Sequence, residues 1–116
     1  MKNEIVIYQG KNGEIKFNAD VKDETIWASE TAIAKLFETT RQNVNLHVNN
    51  IIKEGELDER TRKDFLQVQK EGAREVSRSV KMYNLDMILS VGYRIKSKTA
   101  TNFRIWATKT LKSYIV

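Results

Sequence analysis

The sequence predicts an α+β fold: a winged helix-turn-helix-like domain with two β-hairpins and four helices, in a single unit over residues 1–116. Three observations predict it. Ile15, Phe17, Ala19 and Val21 alternate with polar residues directly after an Asn12-Gly13 turn signal, the pattern of a half-buried hairpin strand. Val44, Val48, Ile51 and Ile52 recur at i, i+4, i+7 and i+8, the spacing of a buried helix face. Two further β-like runs, DFLQVQ and REVSRSVKMY, flank Glu71-Gly72 within residues 64–83.

The elements follow in order. Glu4 to Tyr8 is a short apolar strand, and Gly10, Asn12 and Gly13 turn the chain back. Lys22-Asp23-Glu24 is a turn, and Thr25-Ile26-Trp27 is a short strand or a helix lead-in. Ser29 caps a helix from Glu30 to Phe37, where Glu30 suits the positive end of the macrodipole and Ile33, Leu36 and Phe37 form the buried stripe. Thr39 caps the next helix, Gln42 closes a capping box three residues later, and Gly55 stops the helix just past Glu54. Asn84 caps a short helix, Leu85 to Val91, that Gly92 ends. Lys96 to Ala100 is a basic connection. The last helix, Thr99 to Ile115, places Phe103, Trp106, Ala107, Leu111 and Tyr114 on one side.

Composition narrows the chemistry. The chain has no cysteine, which excludes disulfides and thiolate metal sites, and one histidine, His47, which excludes a multi-histidine metal cluster. No apolar run approaches the roughly 18 residues of a membrane helix, and MKNEIVIYQG lacks the apolar core of a secretory signal. The expectation is a soluble cytoplasmic protein without cofactor, metal or small-molecule substrate. No serine-histidine-acid set or phosphate loop is present, so an enzyme is not expected. Asp58, Glu59 and Asp64 are neutralised by Arg60, Arg62 and Lys63, which reads as a solvated connection rather than a metal site. The net charge of +5 is unevenly placed: residues 86–116 carry six basic residues and one acid, Asp86, so this last quarter holds the whole excess. A surface of one sign attracts polyanions.

The helix after Thr39 is the informative one. Ordinary solvated helices favour Glu and Lys, yet this one carries four asparagines and a glutamine. At about 100° per residue, Gln42, Leu46, Asn49, Asn50 and Lys53 lie opposite the apolar stripe, with Asn45 and Arg41 at the margin. An amide offers donor and acceptor in one plane, matching the edge of adenine, as Arg matches guanine. On this reading Arg41, Gln42, Asn45 and Asn49 reach base edges, Thr39 and Thr40 meet a phosphate, and Lys53 adds charge to the same face. Arg74 and Arg78 on the second hairpin form a wing resting on phosphates. Arg94, Lys96, Lys98 and Arg104 gather with Tyr93 around a helix N-terminus, a phosphate-binding arrangement. The expected partner is double-stranded DNA, with a homodimer formed through Leu46, Ile105 and Ile115. The same outer face and basic C-terminal segment also fit a protein-interaction module that docks an acidic partner, and both readings stay open. His47, beside the buried stripe, reads as a packed helix residue.

The segments EIVIYQ (4–9), TIWASETAIAKLF (25–37), TTRQNVNLHVNNIIKEGELDE (39–59), DFLQVQKEGAREVSRSVKMYNLDMILSVGYRIKSK (64–98) and NFRIWATKTLKSYIV (102–116) together resemble the virulence protein RhuM family. The run YNLDMILSVGYRIKS followed by FRIWA is long and specific, and the last part also looks like the phage antirepressor type of domain. The resemblance implies a DNA-binding, transcription-regulating protein of genomic islands and mobile elements. Relatives are usually much longer, so it also implies that this chain is the N-terminal part of a longer protein. Ala28-Ser29 stands where relatives often show Leu-Thr, and serine still caps the helix.

Overall fold

The computed structural model describes residues 3–114. Strands β1 (Asn3–Gly10) and β2 (Gly13–Asp20) form the first hairpin, with Gly10 paired to Gly13 across Lys11-Asn12. Gly13 takes a φ of 116°, a conformation glycine adopts freely, and this is what lets the chain leave the turn. Thr25-Ile26-Trp27 is a strand rather than a helix lead-in: β3 (Thr25–Ser29) pairs antiparallel with β2 and runs directly into helix α1 (Glu30–Leu36). Helix α2 (Arg41–Lys53) follows, then a single 3-10 turn at Glu59–Thr61, strands β4 (Arg62–Glu71) and β5 (Arg74–Tyr83), and helices α3 (Leu85–Ile95) and α4 (Ser97–Lys112).

The two hairpins belong to one five-stranded antiparallel sheet, in the order β1-β2-β3-β5-β4. The join is small: Ala28 pairs with Tyr83 and Ser29 with Met82. Strand alternation puts Val6, Phe17, Ile26, Ala28 and Tyr83 on one face, and all are buried there under the helices. Over the β1–β2 end, Phe103 of α4 packs edge-on to Tyr8 at 5.3 Å and against Phe17 at 5.0 Å, with Trp106 5.0 Å from Tyr8. α1 lies against β2, β3 and β5, whereas α2 is carried on α1 and α3, one layer further from the sheet. Val44, Val48 and Ile51 are its fully buried residues, which leaves its opposite face toward solvent.

Three local expectations need correction. Thr40, not Thr39, is the N-cap of α2: its hydroxyl accepts from Asn43 N–H at 3.1 Å, while Thr39 Oγ1 accepts from the Asn43 side chain at 2.9 Å. Gln42 therefore sits one position too early to close a capping box. The reason lies in the connection, where Glu38 adopts a φ of 57° and the turn uses one residue more than the spacing suggested. Gly92 does not end α3; it lies inside the helix, fully packed. The gap between the last helices is Lys96 alone, because α4 begins at Ser97 and not at Thr99, and its helical bonds end at Lys112, short of the expected Ile115. Ile115 lies outside the described residues. The remaining boundaries match the reading closely: Ser29 Oγ accepts from Ala32 N–H, Asn84 Oδ1 accepts from Met87 N–H, and Gly55, with a φ of 79°, follows the end of α2.

Candidate functional site

The outer face of α2 is exposed along its whole length. Arg41, Gln42, Asn45, Leu46, Asn49 and Lys53 all reach solvent, while Asn50 is half-buried and turned partly from this face. No segment among the described residues covers the ridge. His47 is half-buried beside the apolar stripe, and its Nδ1 has no hydrogen-bond partner among the described residues.

A polar ladder holds the amides in place. Glu30, in the first turn of α1, accepts from Tyr83 Oη–H at 2.8 Å and from Asn45 Nδ2–H at 2.9 Å. Asn49 Nδ2–H in turn donates to Asn45 Oδ1 at 3.1 Å. Arg41 approaches the same carboxylate at 3.8 Å. Asn45 thus spends one N–H and one lone pair within the protein and keeps one of each. That remainder is what a bidentate contact requires. Tyr83 is fully buried, and burial together with the Glu30 carboxylate pushes its phenol well above the usual tyrosine value, so it stays a neutral donor.

Beside this ladder lies an open cleft of about 400 Å³, walled by Glu30, Arg41 and Asn45 on one side and by Arg62, Ser79 and Lys81 of the second hairpin on the other. The hairpin therefore flanks the N-terminal half of α2. On the opposite flank, Lys96 Nζ–H donates to Glu38 in the α1–α2 turn. Among the described residues, no group of histidine and carboxylate side chains is placed to hold a metal ion.

The basic residues are less available than their sequence positions suggested. Arg94 is clamped between Glu54 and Glu56, at 2.7 and 2.9 Å, tying α3 to the end of α2. The Arg94 and Ser90 hydrogen bonds hold the Glu56 carboxyl below its ordinary range, and the Lys96 hydrogen bond does the same for Glu38. Arg78 pairs with Glu71 at 2.6 Å. The cations proposed to gather at the start of the last helix are therefore split: Arg94 and Lys96 serve as ties, and α4 begins without a side-chain cap. Arg74, Lys98 and Arg104 are exposed and have no carboxylate partner among the described residues. They do not form one patch, since Arg74 is at the tip of the hairpin and Lys98 and Arg104 are on α4, over the other end of the sheet. The acids of the connection are also paired: Asp58 caps the 3-10 turn and binds Arg60, and Glu59 binds Arg62 at 2.6 Å.

Sequence reasoning missed Glu30 as the organiser of this face, because its partners are 15 and 53 residues away. It also missed the exposed apolar residues Ile5, Ile7, Leu66 and Val68, which alternation alone would assign to a buried face.

Fold and site define an α+β domain with an outer, amide-rich helix set beside a projecting hairpin. Residues 60–116, which include strands β4 and β5 and helices α3 and α4, match the model of the virulence protein RhuM family. The first hairpin, α1 and α2 precede the matched span. No curated protein and no solved structure matches the chain. No helix among the described residues is long and apolar enough to cross a membrane.

Proposed function

We propose that this chain binds double-stranded DNA as a winged helix-turn-helix module, with α2 in the major groove and the β4–β5 hairpin as the wing. The observation that carries this reading is the exposed Arg41–Lys53 face, where Glu30 holds Asn45, and Asn49 through it, while both amides keep a donor and an acceptor. Arg41, Gln42, Asn45 and Asn49 are the base-reading set. Thr39 and Thr40 sit at the helix start, where backbone N–H groups favour a phosphate. Lys53, Arg74, Lys98 and Arg104 supply unpaired charge, and a duplex would compete with carboxylates for Arg78, Arg94 and Lys96.

Titration of the folded chain with random duplex DNA across a salt series tests this. Affinity should fall linearly on logarithmic axes, with a slope of about 0.9 per phosphate neutralised. Binding that is absent, or indifferent to salt, overturns the proposal. Asn45→Ala should change sequence preference by about 1–3 kcal/mol at one base pair. Lys98→Ala should weaken all sequences alike and flatten the salt slope by about one unit.

One observation favours the second reading, a module that docks an acidic protein partner. Leu46 is 56% exposed in the middle of the polar face, and an apolar anchor ringed by polar groups suits a protein surface. Leu46→Ala separates the two: it leaves binding to random duplex unchanged and removes the anchor that a protein partner would require.

A further inference from the structure

The sheet ends on β4, which pairs with β5 on one side only. The strand is ten residues long, and its register with β5 runs without a break from Arg62↔Tyr83 to Glu71↔Arg74. Edge strands are normally blunted by prolines, bulges, short length or charged side chains, and of these β4 has only the charges, which are of both signs and so able to pair with one another. The chain has no proline, and no bulge interrupts this ladder. Leu66 and Val68 point outward on one face, 73% and 62% exposed, opposite Ser79 and Ser77.

An antiparallel pair of identical strands related by a two-fold axis must be centred on one residue, because side chains directly opposite share a face. Centring RKDFLQVQKE on Gln67 sets Lys63 opposite Glu71, Asp64 opposite Lys70 and Leu66 opposite Val68, each twice. Every charged residue in these pairs meets its opposite, and four apolar side chains form the middle of one face. Centring on Leu66 instead sets Arg62 against Lys70, and centring on Val68 sets Leu66 against Lys70 and Phe65 against Glu71. Among the registers centred on Leu66, Gln67 and Val68, only the Gln67 register pairs the charges with their opposites and Leu66 with Val68; on its other face Phe65 stands opposite Gln69. The other sheet edge, β1, exposes Ile5 and Ile7 but carries no such charge code.

We infer that the chain forms a two-fold dimer through antiparallel β4–β4 pairing centred on Gln67, an edge-to-edge addition that joins two five-stranded sheets into one. Leu66 and Val68 share the face of Tyr83, whose hydroxyl reaches Glu30 on α1. Both copies of α2 therefore lie on the same side of the joined sheet. If α2 reads DNA as proposed above, that symmetry selects a palindromic site; the dimer itself does not depend on that reading, and its test uses no DNA.

Sedimentation velocity across a concentration series is the first measurement, with circular dichroism confirming that each variant is folded. Wild type should run as a dimer. Leu66→Lys, which places like charges at the seam, should run as a monomer, and Ile7→Lys on the other edge should leave the dimer intact. Asp64→Lys should also dissociate it, and adding Lys70→Asp should restore it. Repulsion within one hairpin, from Lys81 beside position 64 and Glu75 beside position 70, would instead make the double variant worse than either single one. In this cysteine-free chain, Gln67→Cys should form an intermolecular disulfide on mild oxidation, whereas Arg78→Cys, directly across on β5, should not. A monomeric wild type, a dimer that survives Leu66→Lys, or a double variant weaker than both singles overturns the inference.

Discussion

Gly92→Ala is expected to destabilise the fold by about 2 kcal/mol or more, although alanine is the better helix former by about 1 kcal/mol. The steric term wins because α3 passes α1 and α4 too closely for a side chain. A Cβ on Gly92 would lie 2.2 Å from Phe37 Cζ, 2.6 Å from its Cε1 and 3.0 Å from the Ala100 Cβ. Phe37 is fully buried and is also the C-cap of α1, so moving its ring disturbs the turn that aims α2. Urea unfolding should show a lower midpoint at an unchanged slope. Phe37→Leu, which shortens the obstructing ring, should recover part of the loss in the double variant. A midpoint equal to or above wild type would mean that the two helices are not in this close approach.

Glu30→Ala should have two effects of opposite sign. Stability should fall by about 1–3 kcal/mol, because the buried Tyr83 hydroxyl loses its carboxylate acceptor. Adding Tyr83→Phe should recover part of it, since an absent hydroxyl needs no partner. Affinity for random duplex should rise, by about 0.5–1 kcal/mol, as a negative charge leaves the cleft beside Arg41. Discrimination between sequences should fall at the same time, because Asn45 is no longer held. Unfolding curves and competition binding read the two separately. Unchanged discrimination would mean that Glu30 only supports the fold.

Much of the fold was legible because its signals are local. The Ser29 and Asn84 caps, the strand alternation around Phe17 and the Val44-Val48-Ile51 stripe each depend on residues within one or two turns. Gly92 misled for the same reason: a glycine after an apolar helical run looks like a stop, and only the Phe37 ring, 55 positions earlier, explains it. The cap moved from Thr39 to Thr40 because Glu38 adopts a left-handed φ, which no residue preference announces for glutamate. The outer face of α2 was legible from its periodicity, but its supports were not. The partners of Arg94 lie about 40 residues away, at Glu54 and Glu56, and Lys96 reaches Glu38 across 58 residues, so a local reading does not show that these cations also tie helices together. The exposure of β4 depends on strand order, which a sequence read locally does not contain. The family match rests on residues 60–116 and so bears on the hairpin and the last helices, while the groove-reading idea rests on α2.

The side-chain amides of α2 provide the most direct test of that idea. In a ¹⁵N-labelled sample titrated with duplex DNA, the NH₂ resonances of Gln42, Asn45 and Asn49 should shift or broaden together, and saturably, at low salt. Shifts confined to Arg74, Lys98 and Arg104, with those three amides unmoved, would show that DNA meets the protein elsewhere and that α2 does not enter the groove.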